Sequence, residues 1–84
     1  MKEMILVSAI WCPSCLIMRP RYQKIAKELK IDKFTEYDFD DDEEEVKKFH
    51  LGKTLPVMLI FENGIEIKRI VGEKSLKELG KLLC

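Results

Sequence analysis

Two cysteines, Cys12 and Cys15, stand three positions apart inside Trp11-Cys12-Pro13-Ser14-Cys15. Two thiols at that spacing can pass an electron pair: one attacks a disulfide, the other resolves the mixed disulfide that forms. The first must be a thiolate to attack. At a helix N-terminus, free N–H groups and the helix dipole favour an anion and lower a thiol pKa from about 8.5 toward 7 or below. Pro13 suits a first helical position, where no N–H is needed. Cys15 then lies about one turn further along the same face. Cys12 is therefore the candidate attacking thiol, expected acidic and exposed, and Cys15 the candidate resolving thiol, held behind it. The pair is its own redox group, so no cofactor is expected.

The same spacing is also half of many zinc sites. A structural zinc site wants four ligands. The chain offers Cys12, Cys15, His50 and Cys84, with no second Cys-x-x-Cys and no histidine pair. Zinc is thus the weaker reading, and no metal is expected. Cys84 reads as a thiol outside the pair. Three cysteines do not make the even set of a disulfide-stapled secreted domain. A Cys-x-x-Cys near a β-α-β pattern points instead to a redox pair in a reducing cytoplasm.

The elements that must position the pair belong to one small domain, residues 1–84. The chain has 84 residues, 46% of them apolar and 36% charged, with a formal net charge of zero. That composition is globular. Net neutrality argues against a nucleic-acid partner. No apolar run approaches the ~20 residues of a membrane span. The opening MKEMILVSAI resembles a signal peptide only loosely, because Lys2 and Glu3 stand together and no small-residue cleavage site precedes Trp11.

Met4 to Ile10 is a nearly continuous apolar run, as expected of a strand buried on both faces. Ser14 to Lys30 reads as an amphipathic helix, with Leu16, Ile17, Ile25, Ala26 and Leu29 as its apolar positions and Pro20 inside it as a kink. Phe34 to Phe39 reads as a second strand, parallel to the first through the helical crossover. Asp42 to Phe49 is a short helix, with Asp42 and Glu45 spaced as a capping box, Val46 and Phe49 as core contacts and Gly52 soon after its end. Val57 to Phe61 is a third strand. Asn63-Gly64 is a strong hairpin signal and leads into a fourth strand, Ile65 to Val71. The alternation there changes parity at Ile70, which predicts a bulge or a strand end. Ser75 and Glu78 form a second capping box before a last helix that buries Leu76, Leu79 and Leu83. The order is β-α-β-α-β-β-α, an α/β fold with a four-stranded mixed sheet flanked by helices.

Several separate features resemble the thioredoxin family, in the right order and over nearly the whole chain. Trp-Cys-x-x-Cys is that family's active-site signature. Pro20 stands eight residues after Cys12, where thioredoxins carry the proline of the active-site helix. Thr54-Leu55-Pro56 looks like the family's cis-proline segment. VMLIFENGIEIKRIVGEKS looks like its strand, Asn-Gly hairpin, strand and Val-Gly-x-x-Ser entry to the last helix. The resemblance implies a minimal thioredoxin fold and a protein-disulfide reductase. It implies a cis Leu55–Pro56 bond, with Leu55 and Pro56 shaping a substrate groove beside the thiols and Leu55 offering its backbone to an extended peptide. It also places Trp11 as an exposed ring on the border of that groove, with Pro13 beside it. The implied partners are disulfide-containing proteins and an upstream reductase, with the chain acting as a monomer.

Two departures stand out. Thioredoxins usually begin with an extra strand and helix, whereas this sequence opens on the active-site strand. They also carry a buried aspartate six residues before the first cysteine, where this chain has Leu6. Glu36 and Asp38 on the second strand are the positional candidates for a replacement carboxylate. A glutaredoxin-like, glutathione-coupled enzyme is the first alternative. The motif, however, has Ser14 where glutaredoxins tend to have Tyr, and Gly72-Glu73-Lys74-Ser75 replaces their Gly-Gly-Asp. The Trp-Ser-Gly-Phe stretch of the small redoxins that serve ribonucleotide reductase is missing as well. A metal-binding module and a redox-sensing domain are the remaining alternatives. The acids from Asp38 to Glu45 lack the central Gly and the spacing of a calcium loop and read as a solvated helix start. His50 reads as an exposed residue near a helix C-terminus.

Overall fold

A computed structural model describes residues 1–83; Cys84 lies outside the described residues. The elements are β1 (Lys2–Ser8), α1 (Pro13–Glu28), β2 (Lys33–Asp38), α2 (Glu43–Val46) with a 3₁₀ turn over Lys47–Phe49, β3 (Val57–Glu62), β4 (Ile65–Val71) and α3 (Leu76–Leu83). The sheet order is β2-β1-β3-β4. β1 and β2 are parallel, and the β1–β3 and β3–β4 pairs are antiparallel. This is the expected mixed sheet.

Strand β1 is central, and its period of two splits the core into two layers. Met4 and Leu6 pack with Met18, Tyr22 and Ile25 of α1, Ile70 of β4 and Leu79 of α3. Ile5 and Val7 face the other way, with Val46 of α2, Leu55, Val57 and Leu59. Burial on both faces explains the unbroken apolar run. The strand nevertheless starts at Lys2 and stops at Ser8, two residues earlier at each end than the run of apolar residues. Lys2 and Glu3 pair with Glu62 and Phe61 through the backbone, which is indifferent to side-chain polarity. Ile10 leaves the strand and is 85% exposed.

Helix α1 is amphipathic, but its buried positions are Cys15, Met18, Tyr22, Ile25 and Ala26. Leu16 and Ile17, expected in the apolar face, are exposed. The buried stripe at three- and four-residue spacing passes through Met18 and Tyr22 instead. Pro20 sits inside α1 without ending it. The helix closes two residues earlier than expected. The N–H of Ile31 donates to the Ala26 carbonyl and that of Lys30 to the Lys27 carbonyl, with Lys30 at φ 55°. This is a Schellman closure with lysine in the left-handed position.

The expected capping box at Asp42 does not form. Asp42 precedes α2 but makes no side-chain cap bond. Its carboxylate accepts the Asp38 N–H instead, at 2.8 Å, and so folds the loop after β2. The segment ends after Phe49, as expected, with His50 at φ 53° closing it and Gly52 two residues beyond. Val46 is buried, and Phe49 packs against the layer of Ile5 and Val7.

The Asn63-Gly64 hairpin has both residues at positive φ, 53° and 84°, which is the twist a two-residue hairpin turn needs. The register shifts between Ile60 and Phe61: Lys68 opposes Ile60 while Glu66 opposes Phe61. Ile67 is the extra residue, and this bulge is the source of the parity change. At α3 the second capping box forms. The Glu78 N–H donates to Ser75 Oγ at 3.1 Å, and the Ser75 N–H donates to Glu78 Oε1 at 3.4 Å. Leu79 is fully buried and Leu83 packs on the core. Leu76, expected in the stripe, is 42% exposed.

Candidate active site at the start of the first helix

Cys12 is the N-cap of α1, in an extended conformation, with Pro13 in the first helical position. The chain reaches it through a turn closed by the Cys12 N–H, which donates to the Ala9 carbonyl at 3.2 Å. The Cys15 N–H points back at Cys12 Sγ, 3.3 Å away, and shares its proton with the Cys12 carbonyl at 3.2 Å. A backbone donor and the positive end of a sixteen-residue helix therefore converge on that sulfur.

Both thiols are free. Cys12 was expected to be exposed, but only 6% of it is; Cys15 is 1% exposed. Both lie in the core layer of Ile5 and Val7, with Leu55, Val57 and Ala9, so apolar side chains cover most of the Cys12 side chain as well. Burial pushes the Cys15 thiol up to about 12, reinforced by its hydrogen bond with Cys12 and opposed by a backbone hydrogen bond to Ala9 and by the charge of Arg19.

Leu55 and Pro56 belong to the same end of the molecule. The peptide bond between them is cis. Leu55 packs in the cluster that holds both cysteines. The Pro56 carbonyl accepts the Gly72 N–H at 2.8 Å, which ties the segment to the end of β4, while Leu55 makes no backbone hydrogen bond among the described residues.

Trp11 is 58% exposed beside the thiols. Its indole N–H donates to Asp40 Oδ2 at 2.6 Å, and its ring stands edge-on to Phe39, with centroids 6.4 Å apart. Pro13 is exposed beside it. Ile10, Leu16 and Ile17 extend the apolar surface around the motif. Ser14 Oγ donates to Glu73 Oε1 at 3.0 Å, bridging the motif to the loop before α3. Neither Asp40 nor Glu73 stood out in the sequence, since nothing local singles out one acid of a run as a partner for a residue so distant in the chain.

Of the two carboxylates considered as replacements at Leu6, Asp38 is engaged elsewhere: its Oδ1 accepts the N–H groups of Asp40 and Asp41. Glu36 pairs with Arg19 of α1 at 2.6 Å and accepts the Ser8 hydroxyl at 3.0 Å. His50 is exposed and lines a cleft of about 440 Å³ with Phe39, Asp40 and Glu43. Among the described residues, no three His, Cys, Asp or Glu side chains are grouped to hold a metal ion. Nor is any helix long and apolar enough to cross a membrane.

Residues 2–84 match the family model described as Thioredoxin. The chain belongs to the thioredoxin family. It is 34% identical to the thioredoxin of Mycoplasma genitalium over 64 residues, 76% of this chain and 62% of that protein. It is 33% identical over 68 residues to a bifunctional thioredoxin reductase/thioredoxin of Mycobacterium leprae, 80% of this chain and 15% of that protein. The fold superposes on Fasciola hepatica thioredoxin with a TM-score of 0.80 and 25% identity, over 96% of this chain and 77% of that one. The chain thus spans about three-fifths of the length of the Mycoplasma thioredoxin. Its four-stranded sheet with three helices is a thioredoxin fold. Within that frame, Trp11-Cys12-Pro13-Ser14-Cys15 lies at the junction between β1 and α1.

Proposed function

We propose that this thioredoxin-family chain is a thiol–disulfide oxidoreductase that reduces protein disulfides. The observation that carries the reading is the asymmetry of its two thiols. Cys12 caps a helix N-terminus and receives a backbone N–H on its sulfur, an arrangement that stabilises negative charge there. Cys15, behind it, holds its proton.

Cys12 Sγ, as thiolate, attacks one sulfur of a substrate disulfide. The substrate's S–S bond breaks, its other sulfur leaves as a thiolate, and a mixed disulfide joins Cys12 to the substrate. Cys15 then loses its proton to solvent and attacks Cys12 Sγ. The Cys12–Cys15 bond forms and the second substrate sulfur leaves. Two electrons pass to the substrate, and the pair is left as a disulfide. An upstream reductase of the thioredoxin-reductase type returns it to the dithiol; the fused reductase/thioredoxin relative supports that pairing. No bound cofactor or metal enters the cycle.

Trp11, Pro13, Leu55 and Pro56 border the groove. The unpaired backbone of Leu55 offers one donor and one acceptor to an extended peptide, so recognition is broad and mostly backbone-based. The chain acts as a monomer in a reducing cytoplasm, with no role for nucleic acid or membrane.

The test is a redox titration of the pair, read by Trp11 fluorescence in defined dithiol buffers. The expected potential is near about −270 mV, suited to a reductant fed by a dedicated reductase. A value near about −200 mV, with turnover on glutathione alone, would replace this reading by a glutathione-coupled one.

A further inference from the structure

The reaction above needs Cys15 as a thiolate for one step only, yet this sulfur is buried and retains its proton. A cation beside it would favour the transient anion. Arg19 lies four residues on, one turn along the same helix, and is half-buried. Its guanidinium is anchored from the sheet: Glu36 of β2 pairs with it at 2.6 Å, and the Glu36 carboxylate also takes the Ser8 hydroxyl of β1 at 3.0 Å. Glu36 and Leu6 are register partners on parallel strands, so the carboxylate stands on the face that packs against α1. The Arg19 Nε is buried and has no hydrogen-bond partner among the described residues. A buried donor without a partner costs free energy, and on a guanidinium anchored one turn from the resolving thiol that donor is left free to serve a charge that comes and goes.

We infer that Arg19, held by Glu36 and Ser8, is a positioning residue for the resolving step, stabilising the Cys15 thiolate as it forms and leaving the Cys12 attack untouched. The inference rests on the proposed dithiol reaction. The charge of Arg19 already acts to lower the Cys15 pKa in the resting protein. The other titratable groups around this end are Cys12 on the same helix, Tyr37 of β2 on the opposite sheet face, Asp40 held by Trp11, and Glu73 held by Ser14. None of these is a cation; Arg21, the next arginine of α1, donates to the Lys74 carbonyl instead, and it is the charge of Arg19 that bears on Cys15. Its side chain is 41% exposed, so solvent screens the effect and keeps it moderate.

The experiment is a stopped-flow reaction of the reduced protein with an aromatic disulfide whose thiolate is coloured. Cys12 attack releases the first thiolate and Cys15 attack the second. In Arg19→Gln the second phase slows about three- to tenfold at pH 7, and its pH midpoint moves upward, while the first phase is unchanged. Arg19→Lys restores most of the rate. Glu36→Gln alters the second phase in the wild-type background but not in the Arg19→Gln background. A second phase with unchanged rate and pH profile in Arg19→Gln overturns the inference and leaves the dithiol mechanism standing. A wild-type protein with no second phase at all overturns the dithiol mechanism itself.

Discussion

The backbone N–H of Cys15 points at the sulfur of Cys12 from 3.3 Å, so the two cysteines are joined by a hydrogen bond across the first turn of α1. One turn of helix carries both relationships: Cys12 outside it as cap, Cys15 inside it as core.

That division of labour predicts distinct failures for the two thiols. Cys12→Ser abolishes protein-disulfide reduction and leaves the circular dichroism spectrum unchanged, because serine is also a good N-cap. Cys15→Ser accumulates a mixed disulfide with substrate, visible as an added mass that reductant removes. An active Cys12→Ser protein would exclude the mechanism. Full activity in Cys15→Ser without any trapped adduct would point to a monothiol route.

The raised Cys15 pKa has a consequence for stability. The folded state keeps this proton up to about pH 12, while the unfolded chain releases it near 9.0. A pKa raised on folding contributes stability that is complete below the unfolded value and is lost as pH climbs toward the folded one. Tyr22, raised by burial from 10.0 to about 12, works in the same direction. The urea midpoint of the reduced protein should therefore fall between pH 9 and 11, and fall less in Cys15→Ser, where only Tyr22 remains. Parallel curves for the two proteins would contradict the assignment.

The Trp11–Asp40 bond restrains an exposed ring beside the thiols. Because the pair is solvent-accessible, Asp40→Asn should cost no more than about 1 kcal/mol of stability. The indole should nonetheless gain fast motion, measurable as an added component in its fluorescence anisotropy decay. KM for a protein disulfide should rise more than kcat falls, since Trp11 borders the proposed groove without reacting.

The cap of α3 offers a quantitative test. Ser75→Ala should cost about 1 kcal/mol in urea unfolding. Glu78→Ala should cost less in that background than in the wild type, because both capping bonds join the same two residues. Equal costs in both backgrounds would mean that the box does not act as a unit.

The two capping boxes show what local sequence can and cannot determine. Ser75 and Glu78 bond to each other and form the expected box. Asp42 and Glu45 have the same spacing, but the Asp38 N–H competes for the Asp42 carboxylate and takes it. In α1, counting only aliphatic residues selected Leu16 and Ile17. The sheet instead receives Met18 and Tyr22, because burial depends on which side of the helix meets β1. Leu16 and Ile17 are left in the exposed apolar surface around the motif.

The sequence by itself determined the element order, the hairpin at Asn63-Gly64 and the Cys12–Cys15 pair at a strand-to-helix junction. These follow from periodicity, turn chemistry and short spacing, all of which act within a few residues. Only the tertiary structure decided that Cys12 is largely covered, that Trp11 is held by Asp40 and Ser14 by Glu73, and that Arg19 meets Glu36. Each of these joins residues distant along the chain, and the parallel β1–β2 crossover and the packing of the helices set which side chains meet. No local preference encodes which of many similar charges will be the neighbour.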